Sequence, residues 1–478
     1  MSRRTKIVAT VGPASDAPAV LRGMIAAGMN VARVSLSHGS LDDALGRVRR
    51  IREAAASEGQ IVGVLADLPG PKIRAAEFVA GGALLDDNHV ITLVPAGPRD
   101  RSDGTRIAVD LPTLLEDLHV GDHVGLGDGG MQLVVEDVLA DRATALVLRG
   151  GVAQGRPGVT LPPGRSALSA PTPEDLALLD GLVEHVDAVA VSFVRQAADI
   201  ERARAAAPNS MLVAKIETQE AVDALDEIIA ASDGVMVARG DLGIRCALED
   251  VPHYQKRIIR TGVAYGRPVI TATQMLESMI AAPTPTRAEV SDVANAVFDG
   301  TSALMLSAET AIGADPVNAV RTMALIAERA EREFDYVAWG RGLGRQQSAV
   351  ADVMSAQARI TASVSAAGWR AAIDADVAAI IACTNSGRTP RAISRFRPQM
   401  PIIAVTPSEE TARRLTMAWG VQPLVGAQYA TTDDIVWFAV EAAVQSGAVT
   451  RDDVVAVLAG SPADPDPATD TLRLVRVR

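Results

Sequence analysis

Lysine, aromatic residues and cysteine are all scarce in this sequence of 478 residues. Of its 46 basic residues only four are lysine, and the remaining 42 are arginine. Arginine carries a planar guanidinium fork, whereas lysine carries a compact and mobile point charge. Arginine is the usual cation in this chain. Each lysine is therefore a candidate for a role that arginine cannot fill. These positions are Lys6, Lys72, Lys215 and Lys256.

The other absences exclude several classes of protein. Aromatic residues make up only 3% and hydrophobic residues 48%, which predicts an aliphatic core and excludes disorder for most of the chain. No apolar run reaches the ~18 residues that a membrane helix needs, and Gly12 and Pro13 interrupt the first apolar stretch too early for a secretory signal. Cys246 and Cys383 alone cannot form a disulfide framework or a metal cluster. We expect a cytoplasmic protein without a membrane partner, and the net charge of −12 argues against nucleic-acid binding.

Short runs of Val, Ile, Leu and Ala recur along the chain and alternate with helix-like segments. Their composition is typical of strands buried on both faces, as in a parallel sheet. Eight such strands predict a (β/α)8 barrel, with a doubly wound sheet as the alternative. The barrel is favoured because polar residues follow nearly every strand rather than only one crevice. The predicted strands cover residues 7–11, 31–36, 61–66, 188–193, 211–216, 235–238, 269–272 and 303–307.

Two interruptions of this pattern predict further domains, and at ~150 residues per domain the length suggests about three. Residues 76–166 hold short β-like stretches with Gly and Asp turns, which indicate a small β-barrel inserted after the third strand. Residues 340–478 return to alternating helices and strands and indicate a C-terminal α/β domain. The catalytic barrel is then assigned to residues 1–75 and 167–335.

Charged residues follow the fifth and sixth predicted strands. Alternation along the fifth strand places Lys215 and Glu217 on the same side, and Asp241 follows the sixth strand between two glycines. In a barrel these strand ends meet at one mouth. Carboxylates suit Mg²⁺ or Mn²⁺, and the backbone N–H groups of Gly240 and Asp241 are accessible to an anion. A structural salt bridge of Lys215 with Glu217 or Asp241 is the alternative.

Further polar residues follow the other strands. Arg33 lies on the polar face of the second strand, Lys72 and Arg74 follow the third, Arg239 follows the sixth and Thr273 follows the seventh. Together with the residues above they predict a mouth for a small, highly anionic substrate and a divalent ion. Phosphoryl transfer needs this combination of cations and metal around spreading negative charge. No Walker loop or kinase glycine loop occurs, so a nucleotide must be held in another way.

Several longer strings resemble the pyruvate kinase family, and the resemblance runs almost from end to end. They include TKIVATVGPAS, NVARVSLSHG, GPKIR, KIET, SDGVMVARGDLG, TATQMLESM and MLSAETA. The GPKIR string is similar to a bacterial, K⁺-independent branch of that family. The resemblance implies a TIM barrel with an inserted β lid and a C-terminal regulatory domain. It also implies a Mg²⁺-dependent transfer of phosphoryl from phosphoenolpyruvate to ADP in glycolysis, by a homotetramer.

The resemblance also implies roles for individual residues. Lys215 would stabilise the phosphoryl group in flight, while Glu217 and Asp241 would bind Mg²⁺, with Mn²⁺ as a substitute. The N–H groups of Gly240 and Asp241 would hold the substrate carboxylate. Thr273 would lie beside the face where the enolate is protonated. Arg33 would grip the phosphoryl group and contribute to nucleotide binding, and Arg74 would contact the nucleotide phosphates.

Three positions depart from the pattern common in the family. Ser35 replaces an Asn that, with Ser37 and Asp67, resembles part of a monovalent-cation site in many members, and Lys72 replaces a Glu. A fixed ammonium at Lys72 would stand where the charge of K⁺ is needed, so we expect activity without K⁺. The alternative is that Lys72 merely pairs with a neighbouring carboxylate. In the insertion, Pro157 stands where many members carry a second basic residue.

The C-terminal domain contains a turn between a strand and a helix that could hold the phosphate of a sugar or nucleotide effector. An ordinary βα turn is the alternative, and residues 459–465 depart from the family's later effector loop, which leaves the effector's existence open. Two other functions also remain: a metal-dependent aldolase, and a catalytically silent relative, for which Ser35 and Pro157 are the motivation. The candidate phosphate turn comprises Thr384, Asn385, Ser386, Gly387, Arg388 and Thr389.

Overall fold

A closed barrel of eight parallel strands forms the centre of the protein, in a computed structural model that describes residues 3–127, 130–162, 169–350, 355–427, 431–460 and 468–478. The strand order around the barrel is β1-β16-β15-β14-β13-β12-β3-β2, which confirms the predicted (β/α)8 barrel over the doubly wound sheet. Numbered along the chain, its strands are β1 (Lys6–Thr10), β2 (Val31–Ser35), β3 (Gly63–Asp67), β12 (Ala188–Val191), β13 (Met211–Ile216), β14 (Gly234–Ala238), β15 (Val269–Ala272) and β16 (Ala303–Leu306).

The barrel strands are buried on both sides, as their continuous apolar runs predict. Alternate residues such as Val8, Leu65 and Met236 fill the interior, while their neighbours pack against the surrounding helices. The helices that follow the barrel strands are α1 (Pro18–Ala26), α2 (Leu41–Ser57), α4 (Pro173–Asp180), α5 (Ala197–Ala206), α6 (Gln219–Asp223), α7 (Leu225–Ala231), α8 (Arg239–Arg245), α9 (Val251–Ala264), α10 (Arg287–Phe298), α11 (Ala308–Ala311) and α12 (Pro316–Glu331).

The segment between β3 and β12 forms β structure with its own apolar core. Six strands make one sheet in the order β11-β7-β8-β9-β5-β6, and β4 pairs with β10 in a second sheet. Most of these pairs are antiparallel, so short turns connect them. The elements are β4 (Ala83–Leu85), β5 (Val90–Pro95), β6 (Arg106–Val109), α3 (Leu114–Asp117), β7 (His123–Leu126), β8 (Met131–Val138), β9 (Ala143–Arg149), β10 (Gly151–Ala153) and β11 (Val159–Thr160).

The C-terminal part is an α/β unit built on a five-stranded sheet of order β19-β18-β17-β20-β21. Only β21 runs antiparallel to its neighbour. Within the part of the chain that the structure describes, no helix has the length and apolar character needed to cross a bilayer. The elements are α13 (Tyr336–Val350), α14 (Ala356–Asp374), β17 (Ala379–Cys383), α15 (Arg388–Ser394), β18 (Ile402–Thr406), α16 (Glu409–Leu415), β19 (Val421–Val425), α17 (Thr432–Gln445), β20 (Val454–Ala459) and β21 (Thr471–Arg476).

Lys6 links the barrel to the C-terminal sheet. Its ammonium group is buried and donates a hydrogen bond of 2.7 Å to the carbonyl oxygen of Val421, at the start of β19. Burial, and then the neighbouring charge of Arg3, lower the pKa of Lys6 to about 7 although Glu331 opposes the shift. Arginine, with a wider head group, would not fit the same enclosed contact without displacing its neighbours. Lys6 therefore joins two units of the fold rather than acting at the mouth.

This buried ammonium predicts a pH-dependent stability. The folded state loses the Lys6 proton near pH 7 and the unfolded state near 10.5, so between these values the unfolded state binds more protons and stability rises with pH. We expect Lys6 to add about 2 kcal/mol to the stability of the wild type between pH 7 and pH 9, and Lys6→Met to lack this increment. Melting temperatures across that range test it. Lys256→Met, which removes an ion pair with Asp299, is the matched control and should keep the wild-type profile.

Candidate active site

The carboxyl ends of three neighbouring strands, β3, β12 and β13, bring four polar side chains together at the barrel mouth. The Lys215 ammonium nitrogen lies 2.9 Å from Glu217 Oε1 and 3.2 Å from Asp67 Oδ1. It also donates a hydrogen bond of 2.7 Å to the Ser192 hydroxyl. Strand pairing explains the meeting, because β12 lies between β3 and β13 in the barrel. The alternation along β13 has placed Lys215 and Glu217 on one side.

Arg33 joins this group from the adjacent strand β2. Its Nε donates to Asp67 Oδ2 at 2.6 Å, and its Nη1 donates to the Thr10 hydroxyl at 3.0 Å. Burial raises the pKa of Asp67, but the charges of Arg33 and Lys215 outweigh burial and hold this pKa below its ordinary value. Asp67 is therefore a carboxylate that bridges two cations and fixes where both of them point.

The pKa values of Lys215 and Glu217 are both raised, but for different reasons. Burial lowers the pKa of Lys215, but the carboxylates of Asp67, Glu217 and Asp241 together raise it above its ordinary value. Burial raises the pKa of Glu217 to about 7, with Asp241 adding to the shift and Lys215 opposing it. The ammonium is thus held charged, whereas Glu217 lacks sufficient positive charge around it.

The donor set of Glu217 fits a divalent cation. Its Oε2 accepts a hydrogen bond of 2.6 Å from the backbone N–H of Phe193. Its Oε1 is buried and, despite the nearby Lys215 ammonium, receives no hydrogen bond of good geometry within the described residues. A cation beside this oxygen would supply the missing charge. The described part of the chain contains no cluster of three or more His, Cys, Asp or Glu ligands, so a metal here would need oxygens from substrate and water, as Mg²⁺ commonly takes.

Asp241, Gly240 and Thr273 lie on the neighbouring loops after β14 and β15. Asp241 is in the first turn of α8 and is close enough to influence the pKa values of both Lys215 and Glu217. The N–H of Gly240 donates to the Thr273 hydroxyl at 2.7 Å, and this hydroxyl in turn donates to the carbonyl of Ala272. The Gly240 amide, predicted to hold a carboxylate, thus already has an internal partner. Thr273 also has a positive φ of 67°, an unusual backbone conformation for threonine.

Arg239 differs from the expectation that it would face a ligand. Its Nη1 lies 2.7 Å from the carboxylate of Asp292 on α10, and its Nη2 donates to the carbonyl of Thr273 at 2.7 Å. The residue begins α8, so its side chain leaves the strand end toward α10 and the β15 loop. Arg239 therefore holds the loops after β14 and β15 together rather than lining the site.

Lys72 and Arg74 lie where the chain leaves the barrel for the inserted sheet. Lys72 is exposed, and Ser37 is exposed on the loop after β2, where Ser35 pairs with Asp67 across the strands. The turn at Gly70 has φ 70°, and a Cβ there would lie 2.7 Å from side-chain atoms of Ser192 and Phe193. The turn that carries Lys72 therefore packs directly on the loop that contacts Lys215 and Glu217.

Arg74 lies at the start of the inserted segment and pairs with its end. Its Nη1 donates to the carbonyl of Arg156 at 3.2 Å, and residue 74 forms an isolated antiparallel bridge with Gly158. The carbonyl of Pro157 accepts a hydrogen bond of 2.9 Å from the N–H of Ala75. The chain entering the insertion at Arg74 thus pairs with the segment of residues 156–158, and Pro157 contributes to this pairing through its backbone oxygen.

The candidate phosphate turn lies in the C-terminal α/β unit, between β17 and α15. Gly387 has φ 80°, and its N–H donates to the Thr384 hydroxyl at 2.8 Å. The Thr389 hydroxyl is buried against that of Thr469, whereas Asn385, Ser386 and Arg388 are exposed. The two threonine hydroxyls are thus engaged internally, and the exposed Arg388 donates from Nε to the Ser386 hydroxyl at 3.3 Å. Residues 461–467, within the later loop, lie outside the described residues.

The sequence did not single out Ser192 or Phe193. Ser192 connects Lys215 to the carbonyl of Leu68, to which its hydroxyl donates at 2.7 Å. Phe193 has a φ of 55°, and its backbone N–H donates to Glu217. The Cζ atom of Arg245 lies 4.8 Å from the centroid of the Phe193 ring. The only available signal was the polar Ser192 directly after the apolar strand β12.

Comparison with known proteins supports one family over nearly the whole chain. Residues 2–320 match the family described as pyruvate kinase, barrel domain, and residues 362–475 match pyruvate kinase, alpha/beta domain. Pyruvate kinase of Geobacillus stearothermophilus is 41% identical over 99% of this chain and 80% of its own length. That of Clostridium acetobutylicum is 38% identical over 99% of both chains, and that of Methylorubrum extorquens is 41% identical over 100% of this chain and 98% of its own. This chain belongs to the pyruvate kinase family.

Proposed function

We propose that this protein is a pyruvate kinase that transfers phosphoryl from phosphoenolpyruvate to ADP, giving pyruvate and ATP in glycolysis. The observation that carries the proposal is the buried Lys215 ammonium, held between the carboxylates of Asp67 and Glu217 at the barrel mouth. The relatives named above are pyruvate kinases, which supports the same reaction for this chain.

In this mechanism each side chain has a separate task. Lys215, oriented by Asp67 and Ser192, neutralises charge on the phosphoryl group as it moves. Arg33, held by Asp67, grips the phosphoryl group from the side of β2. Glu217 and Asp241 would hold Mg²⁺ or Mn²⁺, which when bound neutralises negative charge on the phosphate and enolate oxygens. Arg74 would contact the nucleotide phosphates, as Arg33 would in part, and closure of the insertion would exclude water.

Thr273 is the group proposed beside the enolate. Its hydroxyl accepts from Gly240 and donates to the carbonyl of Ala272, so it has an internal partner for its proton. Proton delivery from this side would require the bond to Ala272 to be exchanged for one to the enolate carbon or to a water. A substrate carboxylate near the amides of Gly240 and Asp241 would compete with Thr273 for the Gly240 N–H, and would thereby leave the Thr273 hydroxyl with only its bond to Ala272.

A coupled assay with phosphoenolpyruvate, ADP and Mg²⁺ tests the proposal. We expect pyruvate and ATP to form in equal amounts and only when all three components are present. Pyruvate without ATP would indicate hydrolysis, condensation of pyruvate with an aldehyde would indicate an aldolase, and no product with any phosphorylated effector would indicate a silent relative.

We further propose that the reaction does not require K⁺, because the Lys72 turn packs beside Ser192 and Phe193. An ammonium there can supply the positive charge that a monovalent cation would otherwise bring. We expect wild-type turnover in tetramethylammonium buffer to equal that in K⁺ buffer within about twofold, and Lys72→Glu to lose about tenfold without K⁺ and regain it on K⁺ addition. An absolute K⁺ requirement of the wild type would contradict this.

We propose a homotetramer and, at the phosphate turn of residues 384–389, a phosphorylated sugar or nucleotide effector. Two separate exposed apolar faces support the tetramer, since two self-complementary interfaces on one chain generate a closed assembly of four. One face carries Phe298 and Leu325 on α10 and α12, and the other carries Trp437 and Phe438 on α17. The exposed Ser386 and Arg388 support the effector turn.

A further inference from the structure

An arginine cluster lies at the junction between the barrel and the C-terminal sheet. Arg267 comes from the barrel, two residues before β15, and Arg391, Arg395 and Arg397 come from α15 and the turn after it. Together with Trp419 they line a cavity that encloses about 10 Å³, the space of a single water molecule, and opens toward solvent. None of residues 384–389 lines this cavity, although Arg391 also donates a hydrogen bond of 3.4 Å to the carbonyl oxygen of Ser386 in the candidate phosphate turn.

Positive charge at the cluster is poorly balanced. Among the described residues, no carboxylate lies within 4.0 Å of a guanidinium nitrogen of Arg267, Arg391 or Arg397. The acidic influences are Asp233 on Arg267 and Arg391, and Glu331 on Arg397. Asp233 already pairs with Arg204 and accepts a hydrogen bond of 3.0 Å from the N–H of Leu212. Burial, and then the charge of Arg267, lower the pKa of Arg391 to about 10, which reflects the same excess of positive charge.

The cluster also contains buried donors without acceptors. Arg397 is 1% exposed and donates from Nη1 to the Ser394 carbonyl and from Nη2 to the Gly300 carbonyl. Its Nε has no partner among the described residues, and the buried Nε of Arg267 has none either. A buried guanidinium N–H without an acceptor is costly. A negatively charged hydrogen-bond acceptor would both bond to such N–H groups and balance the positive charge.

We propose that this arginine cluster binds the phosphate group of a small anion, either inorganic phosphate or a phosphate monoester. One oxygen occupies the enclosed cavity, and the others lie at its mouth between Arg267 and Arg391. Guanidinium forks suit this geometry because they present paired N–H donors to a tetrahedral oxyanion. The bound anion cross-links the two units, and Arg267 leads into β15, whose other end leads to Thr273. The site thereby provides a route by which an anion could influence the barrel mouth.

Thermal unfolding of the full chain at constant ionic strength tests the proposal. We expect inorganic phosphate at about ten times its Kd to raise the Tm by roughly 1–2 °C over matched chloride. The active site and the turn of residues 384–389 also offer places for phosphate, so the same titration is made with Lys215→Met and with Ser386→Ala, and in each of them the rise should persist. Glycerol 3-phosphate in place of inorganic phosphate distinguishes the two sources, since an equal or larger rise indicates that a monoester is accepted.

Variants decide whether the arginine cluster is responsible. Arg391→Met and Arg267→Met should each abolish the phosphate-dependent rise, whereas Arg370→Met, which removes an exposed arginine paired with Asp374, should keep it. If Arg391→Met does not fold, Arg267→Met with direct phosphate binding by calorimetry decides the question. A rise that survives both substitutions, an equal rise with chloride, or no rise at all overturns the proposal. A purely structural arginine would lower the Tm equally with and without phosphate.

Discussion

Lys215→Met lowers phosphoryl transfer by about three orders of magnitude while the protein remains folded. The change removes the ammonium that lies between Asp67 and Glu217 but keeps an unbranched chain of similar length. A charge placed where the transition state develops its own charge is typically worth 10²- to 10³-fold in turnover, and here the acidic neighbours also lose a cation. Steady-state turnover with phosphoenolpyruvate, ADP and Mg²⁺ measures the effect, and circular dichroism measures the fold.

The ion pair of Lys256 with Asp299 gives the control for this result. Lys256 lies on α9, pairs with Asp299 and is about half exposed, far from the site by its contacts. Exposed pairs contribute little, so Lys256→Met should keep turnover within about twofold of the wild type. Wild-type turnover in Lys215→Met would show that this ammonium serves only as a salt bridge, which is the alternative interpretation of the Lys215–Glu217 contact.

Glu217→Gln raises the Mg²⁺ concentration needed for half-maximal activity by at least about tenfold and lowers turnover about a hundredfold or more. The amide keeps an oxygen that can accept from the N–H of Phe193, but it removes the charge that a divalent ion requires. Titration of activity with Mg²⁺, and of Mn²⁺ binding by electron paramagnetic resonance, measures the two effects separately.

Glu309→Gln is the matched substitution for this test. Glu309 is also buried near the ends of the barrel strands, but its carboxylate accepts from the backbone N–H groups of Leu276 and Ser307. It should therefore lower stability and leave the Mg²⁺ dependence unchanged. An unchanged Mg²⁺ dependence in Glu217→Gln as well would remove Glu217 from the proposed metal site.

The barrel was predictable because its signals are local and repeated. Each strand is a short apolar run, and the predicted and observed strands overlap in all eight cases. The boundaries differ by up to two residues, as in β3, which begins at Gly63 rather than at residue 61. The apolar run begins before the first residue that pairs with a neighbouring strand. The start of pairing depends on that neighbouring strand, which lies elsewhere in the sequence.

The site was predictable in part, for the same reason. Lys215 and Glu217 are two residues apart, so strand alternation alone places them together. Ser192 and the amide of Phe193 come from the neighbouring strand end, and nothing in their own composition marks them. Arg239 has the residue type expected at an anion site, yet Asp292 and the Thr273 carbonyl engage it instead. Charge and spacing do not reveal which partner a long side chain will reach.

By itself the sequence determined the barrel, the β insertion, the C-terminal α/β unit and the rarity of lysine, since composition and periodicity are properties of the chain. Only the tertiary structure decided what each buried lysine contacts: Lys6 reaches Val421, and Lys215 reaches Asp67, Glu217 and Ser192. The arginine cluster of the junction likewise depends on segments far apart in the chain. The physical reason is that burial and charge balance are sums over neighbours brought together by folding.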